Sequence, residues 1–122
     1  MQKILLITLF VISFSTSSQA ANEAGTYTFL SEGTASCGKY LEAITKAERG
    51  ESKVQAGYFY AYLDGYFTGV NRYLPDTRNI MGNTDIQGVR AYIKKFCSEN
   101  PLKDYIDAIS SVQEELYPNR AK

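Results

Sequence analysis

Two cysteines, a missing histidine and one acid set among tyrosines are the features of this 122-residue chain that bear on chemistry. Cys37 and Cys97 are its only cysteines. Redox-active thiols usually show C-x-x-C spacing, and these two are about 60 residues apart, so a structural disulfide is expected. Closing a loop that long stabilises a fold by about 4 kcal/mol in the chain-entropy model. The chain has no histidine. That removes the usual catalytic base, the Ser–His and Cys–His pairs and the commonest metal ligand. With both thiols committed, a zinc or iron ion has almost no donors left. Asn83-Thr84-Asp85 falls short of a D-x-D-x-D-G calcium loop, and no glycines follow the G-x-x-x-x-G-K pattern of a phosphate loop. Asp64 reads either as a buried carboxylate hydrogen-bonded to a tyrosine or as a solvent-facing residue. A general acid or base also needs a partner and a cleft, and neither is legible. The expectation is a protein that is not an enzyme, with no cofactor, no metal and no catalytic residue.

The first residues set the compartment in which a disulfide could form. Lys3 is followed by an apolar run at 4–14 and then by Ser15-Thr16-Ser17-Ser18-Gln19-Ala20. This is the order of a cleavable export signal, with Ser18 and Ala20 in a small-x-small cleavage site and Ala21 as a neighbouring alternative. A bilayer core of about 30 Å needs roughly 20 apolar residues, so the run predicts no membrane anchor. The expected location is periplasmic or secreted, where paired cysteines persist. Lys and Arg number 13, as do Asp and Glu. A near-neutral chain without a basic stripe excludes nucleic acid as the expected partner.

Residues 21–35 read as a flexible leader or one extended segment, and 36–118 as a single helical domain. Cys37, Tyr40, Leu41, Ile44 and Ala47 recur at helical spacing, predicting a helix from about Ser36 to Glu48 that ends at Gly50. A second helix is expected from Ser52, with Gln55 in a capping-box position, to Leu74 before Pro75. The turn-rich segment 75–83 reads as a loop. A third helix is expected from Thr84, with Ile86, Val89, Ile93, Phe96 and Cys97 on one face. The fourth is expected from Asn100-Pro101, with Leu102, Tyr105, Ile106, Ile109, Val112 and Leu116 as its stripe. The predicted fold is all-α, a small bundle of about four helices, with the disulfide tying the start of the first to the end of the third.

The second helix is the unusual element. Gly57, Ala61, Gly65 and Gly69 recur every fourth residue, a stripe that would let a neighbouring helix pack closely and so repay the cost of helical glycine. Aromatic residues surround it, more than one core needs. Tyrosine is a common interface anchor. Tyr58, Tyr62 and Tyr66 are therefore candidate protein contacts. In the loop, Arg78, Ile80 and Met81 are further candidates; Ile80 and Met81 either fold back onto the core or form a contact surface.

Four segments carry a family resemblance: Ser36-Cys37-Gly38-Lys39-Tyr40-Leu41, the run Gly57 to Asn71, Thr84 to Val89, and Tyr92 to Leu102. The chain resembles the Tai/Rap-type immunity proteins, which protect a periplasm from type VI secretion amidase effectors. More distantly, it is similar to the HdeA and HdeB acid-stress chaperones. The first resemblance implies an exported protein that binds and inhibits a protein partner. The second implies a chaperone whose switch, without histidine, would have to come from carboxylates titrating near pH 4. A structural subunit of an envelope assembly is the third reading, and a second copy of the chain is an admissible partner.

Overall fold

The computed structural model describes residues 24–122, so the export signal expected at 1–20 lies outside the described residues. Four helices follow one another: α1 (Cys37–Glu48), α2 (Val54–Tyr73), α3 (Ile86–Glu99) and α4 (Tyr105–Leu116). Short 3-10 turns at Ser31–Thr34 and Tyr117–Asn119 flank them. Among the described residues no strand forms, so the expected all-α fold is observed.

Local chemistry explains most of the boundaries. At α1 the Ser36 hydroxyl accepts from the Lys39 amide at 3.3 Å, meeting one of the orphan donors of a helix start. Gly50 sits at φ +74° just beyond the helix, the left-handed conformation that glycine adopts at no steric cost. Three starts differ from expectation. The first turn of α2 opens at Val54, with Ser52 Oγ accepting from the Val54 amide at 3.4 Å and no side-chain cap on Lys53. Asp85, rather than Thr84, caps α3, its carboxylate accepting from the Gly88 amide at 2.7 Å.

The largest correction is at α4, which begins four residues after Pro101. Asn100 closes α3 instead: its amide and its side chain both donate to the Phe96 carbonyl at 2.9 Å. The backbone that follows is taken by residues 35–38, at the start of α1. Gly38 donates to Pro101 O, Cys37 to Lys103 O and Tyr105 to Ala35 O. These bonds hold residues 101–104 in the turn that precedes α4. Leu102, expected in the core stripe, is therefore 96% exposed. Helix α4 starts where the Asp107 carboxylate accepts from the Asp104 amide at 3.0 Å.

This junction also holds the disulfide. Cys37 and Cys97 are joined, with Cα atoms 4.8 Å apart and both residues fully buried. The start of α1 is thereby tied to the end of α3, as the spacing predicted. Deeper in, the core centres on Tyr40 of α1, Phe59 of α2 and Tyr105 of α4. Tyr40 and Tyr105 stack with centroids 4.8 Å apart, and Phe59 meets both edge-on at 5.4 and 4.9 Å. The Tyr105 hydroxyl donates to the Phe59 carbonyl at 3.1 Å, so this buried polar group is paired. Burial pushes both phenols well above their ordinary value, with Tyr60 raising and Arg90 lowering each of them.

The leader is less free than expected. Gly33 is buried, and Phe29 and Ala35 pack against the core. The ordered part also extends beyond 118. Asn79 and Ala121 exchange backbone hydrogen bonds in an isolated antiparallel bridge, and Arg120 Nε donates to Thr77 Oγ1 at 3.0 Å.

Candidate protein-binding surface

Helix α2 carries two patterns at once. Ala56, Phe59, Leu63 and Phe67 are buried, with Val70 packed beside them. That is the usual single apolar stripe of a bundle helix. On the opposite side Val54, Tyr58, Ala61, Gly65, Thr68 and Arg72 all face solvent. Their spacing alternates four and three residues, which keeps them in one line along the helix as in a coiled-coil seam. Asp64 and Arg72 are the only charged side chains between Val54 and Tyr73. Tyr58 is 56% exposed, Val54 65% and Tyr73 73%. Thr68 turns its hydroxyl inward to the Asp64 carbonyl at 2.7 Å, which leaves its methyl group for the surface.

The small-residue stripe therefore lies on the opposite side from the one expected. A Cβ placed on Gly57, Gly65 or Gly69 would meet no atom within 4 Å, and Ala61 is exposed. Among the described residues no neighbour packs along it. The reason is geometric: the inward stripe of large side chains already occupies the side of α2 that meets α1 and α4, and the small residues fall about half a turn away.

The sequence-predicted contact residues divide accordingly. Tyr58 stands on the open face and Arg78 on the exposed loop. Tyr62 and Tyr66 are only partly exposed. The Tyr62 hydroxyl lies against Gly33, where an added Cβ would be 2.2 Å away, so the leader covers it. Burial raises the pKa of both phenols, with a hydrogen bond to Ser110 partly offsetting the effect at Tyr66. Ile80 is fully buried and its amide donates to Asn71 Oδ1 at 2.7 Å. It is a core residue and cannot be a contact. Met81 packs partly against the same core. Of the two readings of this loop, folding back is the one observed. Asp64 is exposed and makes no buried hydrogen bond to a tyrosine.

The sequence reading missed how the loop is held. Its clasp is the C-terminal segment. Arg120 lies 3.9 Å above the Tyr117 ring centroid and donates to Tyr117 O and Thr77 Oγ1. Lys122 reaches Asp76 at 3.3 Å. Gly82, at φ +56°, admits the Asn119 carbonyl to within 2.2 Å of where a Cβ would stand. The glycine was a visible signal, but its partner lies 37 residues downstream and no local pattern marks it.

Two apolar grooves flank the open face of α2. One, of about 390 Å³, runs between α1 and α2 past Ile44, Ala47, Ala56, Gly57 and Tyr60. The other, of about 450 Å³, passes Gly65, Tyr66, Gly69, Val70 and Leu74. A third, more polar groove of about 490 Å³ lies between α1, α2 and the leader, with Lys39, Glu42 and Lys46 on its rim. Lysine and glutamate there pair with each other, Lys46 to Glu42 at 2.6 Å. That pairing holds the Glu42 carboxyl below and the Lys46 ammonium above their ordinary values. Among the described residues no helix is long and apolar enough to cross a membrane, and no cluster of acidic residues and cysteines could hold a metal ion.

Compared with family models, with curated proteins and with solved structures, the chain matches none. The functional reading consequently stands on the surface itself.

Proposed function

We propose that the mature chain is a non-catalytic protein-binding domain that works outside the cytoplasm, in the manner of an immunity protein that occludes a partner. The observation that carries this reading is the open face of α2. A 20-residue helix whose outer line is uncharged from Val54 to Thr68 is normally buried on both sides, and here the described residues cover one. Large exposed apolar groups beside small residues form the knobs and hollows that interfaces use, with tyrosine as the anchor type. Three helical glycines left without a neighbour each cost about 1 kcal/mol against alanine, a cost that close approach of a partner offsets.

The acid-chaperone reading has less support. Apart from Glu32, which is half-buried, every described carboxylate is exposed, and no charged residue is buried. Protonation at low pH would then act only through general charge repulsion, with no buried acid to serve as a trigger.

The test is affinity capture of the tagged mature protein from its own cell envelope at neutral pH, beside Ala61→Arg and Tyr58→Glu. The expected result is one stoichiometric protein partner held by the unmodified chain and lost from both variants, whose helical circular dichroism is unchanged. Retention by both variants would remove α2 from the interface. Capture of many unrelated clients only after acid exposure would transfer the assignment to the chaperone reading.

A further inference from the structure

We propose that Arg90, resting on Tyr60 of the α1–α2 groove wall, is the anchor for an acidic side chain of the protein partner. The inference rests on the protein-binding reading and names the chemistry of what is bound.

The guanidinium of Arg90 lies 3.9 Å from the Tyr60 ring centroid. A ring face attracts a cation but offers no lone pair to its N–H donors. The Nε atom is buried and has no hydrogen-bond partner. Among the described residues no carboxylate lies within ion-pair distance of Arg90. A buried N–H donor without a hydrogen-bonding partner is costly to desolvate, and elsewhere the chain provides one: Arg120, also part-buried, has Thr77, Tyr117 and Asp76.

The surroundings select an anion. Tyr60 also lines the groove, together with Lys53 and Glu48. Glu48 is already held by Lys94 at 2.5 Å, and Lys53 on the groove wall has no ion-pair partner among the described residues. Gly57 forms part of the same wall with no atom near its missing Cβ, which keeps the approach to Tyr60 open from the α2 seam. A carboxylate entering there can take the two parallel N–H donors of the terminal Nη1 and Nη2 edge, which unlike Nε is not sealed off, the bidentate geometry at which arginine excels. Stacking on Tyr60 holds the fork in place beforehand, so less side-chain freedom is lost on binding. The apolar floor of Ile44, Ala47 and Ala56 accommodates the methylenes of a glutamate.

The experiment follows the Arg90 Nε–Hε signal by nitrogen-15 NMR in the mature protein as N-acetylglutamate N-methylamide is added. The expected result is a saturable shift at Arg90 and at the Gly57 amide. The glutamine analogue should bind at least about tenfold more weakly, the scale of one charge-assisted hydrogen bond. Read at the Gly57 amide, the response should weaken in Arg90→Lys, which keeps the charge and loses the fork, and vanish in Arg90→Gln. An equal response to the two probes, or none, overturns the anchor, as does tighter binding of inorganic phosphate than of the carboxylate. A captured partner that Arg90→Gln retains and Ala61→Arg loses overturns the anchor alone and leaves the protein-binding reading standing.

Discussion

The inner and outer faces of α2 are built on similar spacings from different residues, and they meet opposite fates. Inside, Phe59 and Leu63 are sealed between α1 and α4, and the Phe59 carbonyl receives the Tyr105 hydroxyl. Outside, Tyr58 and Gly65 stand on the same turns of the same helix with none of the described residues over them. Helical periodicity alone does not separate these two lines of residues. Side-chain volume does. Burial stabilises in proportion to the apolar area removed from water, so the face carrying phenylalanine and leucine wins the core and the face carrying glycine and alanine is turned out. The outer face is then available to a partner without unfolding anything.

The comparison breaks most visibly at the core. Phe59→Ala should cost about 4 kcal/mol in chemical denaturation, whereas Tyr58→Ala beside it should stay within about 0.5 kcal/mol. Similar losses at both positions would mean that the outer face is covered by this chain after all. Replacing Cys37 and Cys97 together by serine should cost a comparable amount, about 4 kcal/mol from the loop they close, and should leave the outer face intact.

Alkaline pH probes the inner face alone. Burial raises the Tyr40 and Tyr105 phenols above their unfolded value, so the folded state keeps protons that the unfolded state releases. The stability this represents is complete below about pH 10, the ordinary tyrosine pKa, and is lost as pH rises beyond it. Tyrosinate absorbance from these two residues should therefore emerge only together with loss of helical circular dichroism. Earlier ionisation would show the aromatic centre to be wetter than described.

The glycines give the smaller and more discriminating effects. Gly82→Ala places a Cβ against Asn119 at a positive φ and should cost about 2 kcal/mol by strain and by loosening the C-terminal clasp. Gly65→Ala meets open space in a regular helix and should instead stabilise by about 0.5 to 1 kcal/mol, read as a rise in denaturation midpoint. Destabilisation at Gly65 would contradict the open face directly.

Much of the fold was legible along the chain, because helix faces and capping residues act locally. The stripes of α1, α3 and α4 were read correctly at Tyr40, Ile44, Val89, Ile93, Ile106, Ile109 and Val112, all buried. Ser36 and Gly50 bound α1 as their chemistry suggests. The errors share a cause. Asn100-Pro101 looks like a helix start by itself, and fails as one because residues 35–38 claim the following backbone. Along the chain Ile80 stays open between core and contact, because the Asn71 side chain that receives its amide is on another element.

For the candidate surface the division is the same. Composition and spacing alone excluded histidine chemistry, paired the cysteines and singled out α2 as a helix with too many small and aromatic residues. Those properties depend on residue identity and on the 3.6-residue turn, which any helical segment carries with it. Which side of α2 would be left open, that Arg90 would lie on Tyr60 without a carboxylate, and that residues 119–122 would clasp the loop at 76–82 were decided only by tertiary packing. Each is a contact between segments far apart in the chain, selected by how volumes and backbone hydrogen bonds are satisfied together, and no local pattern encodes that choice.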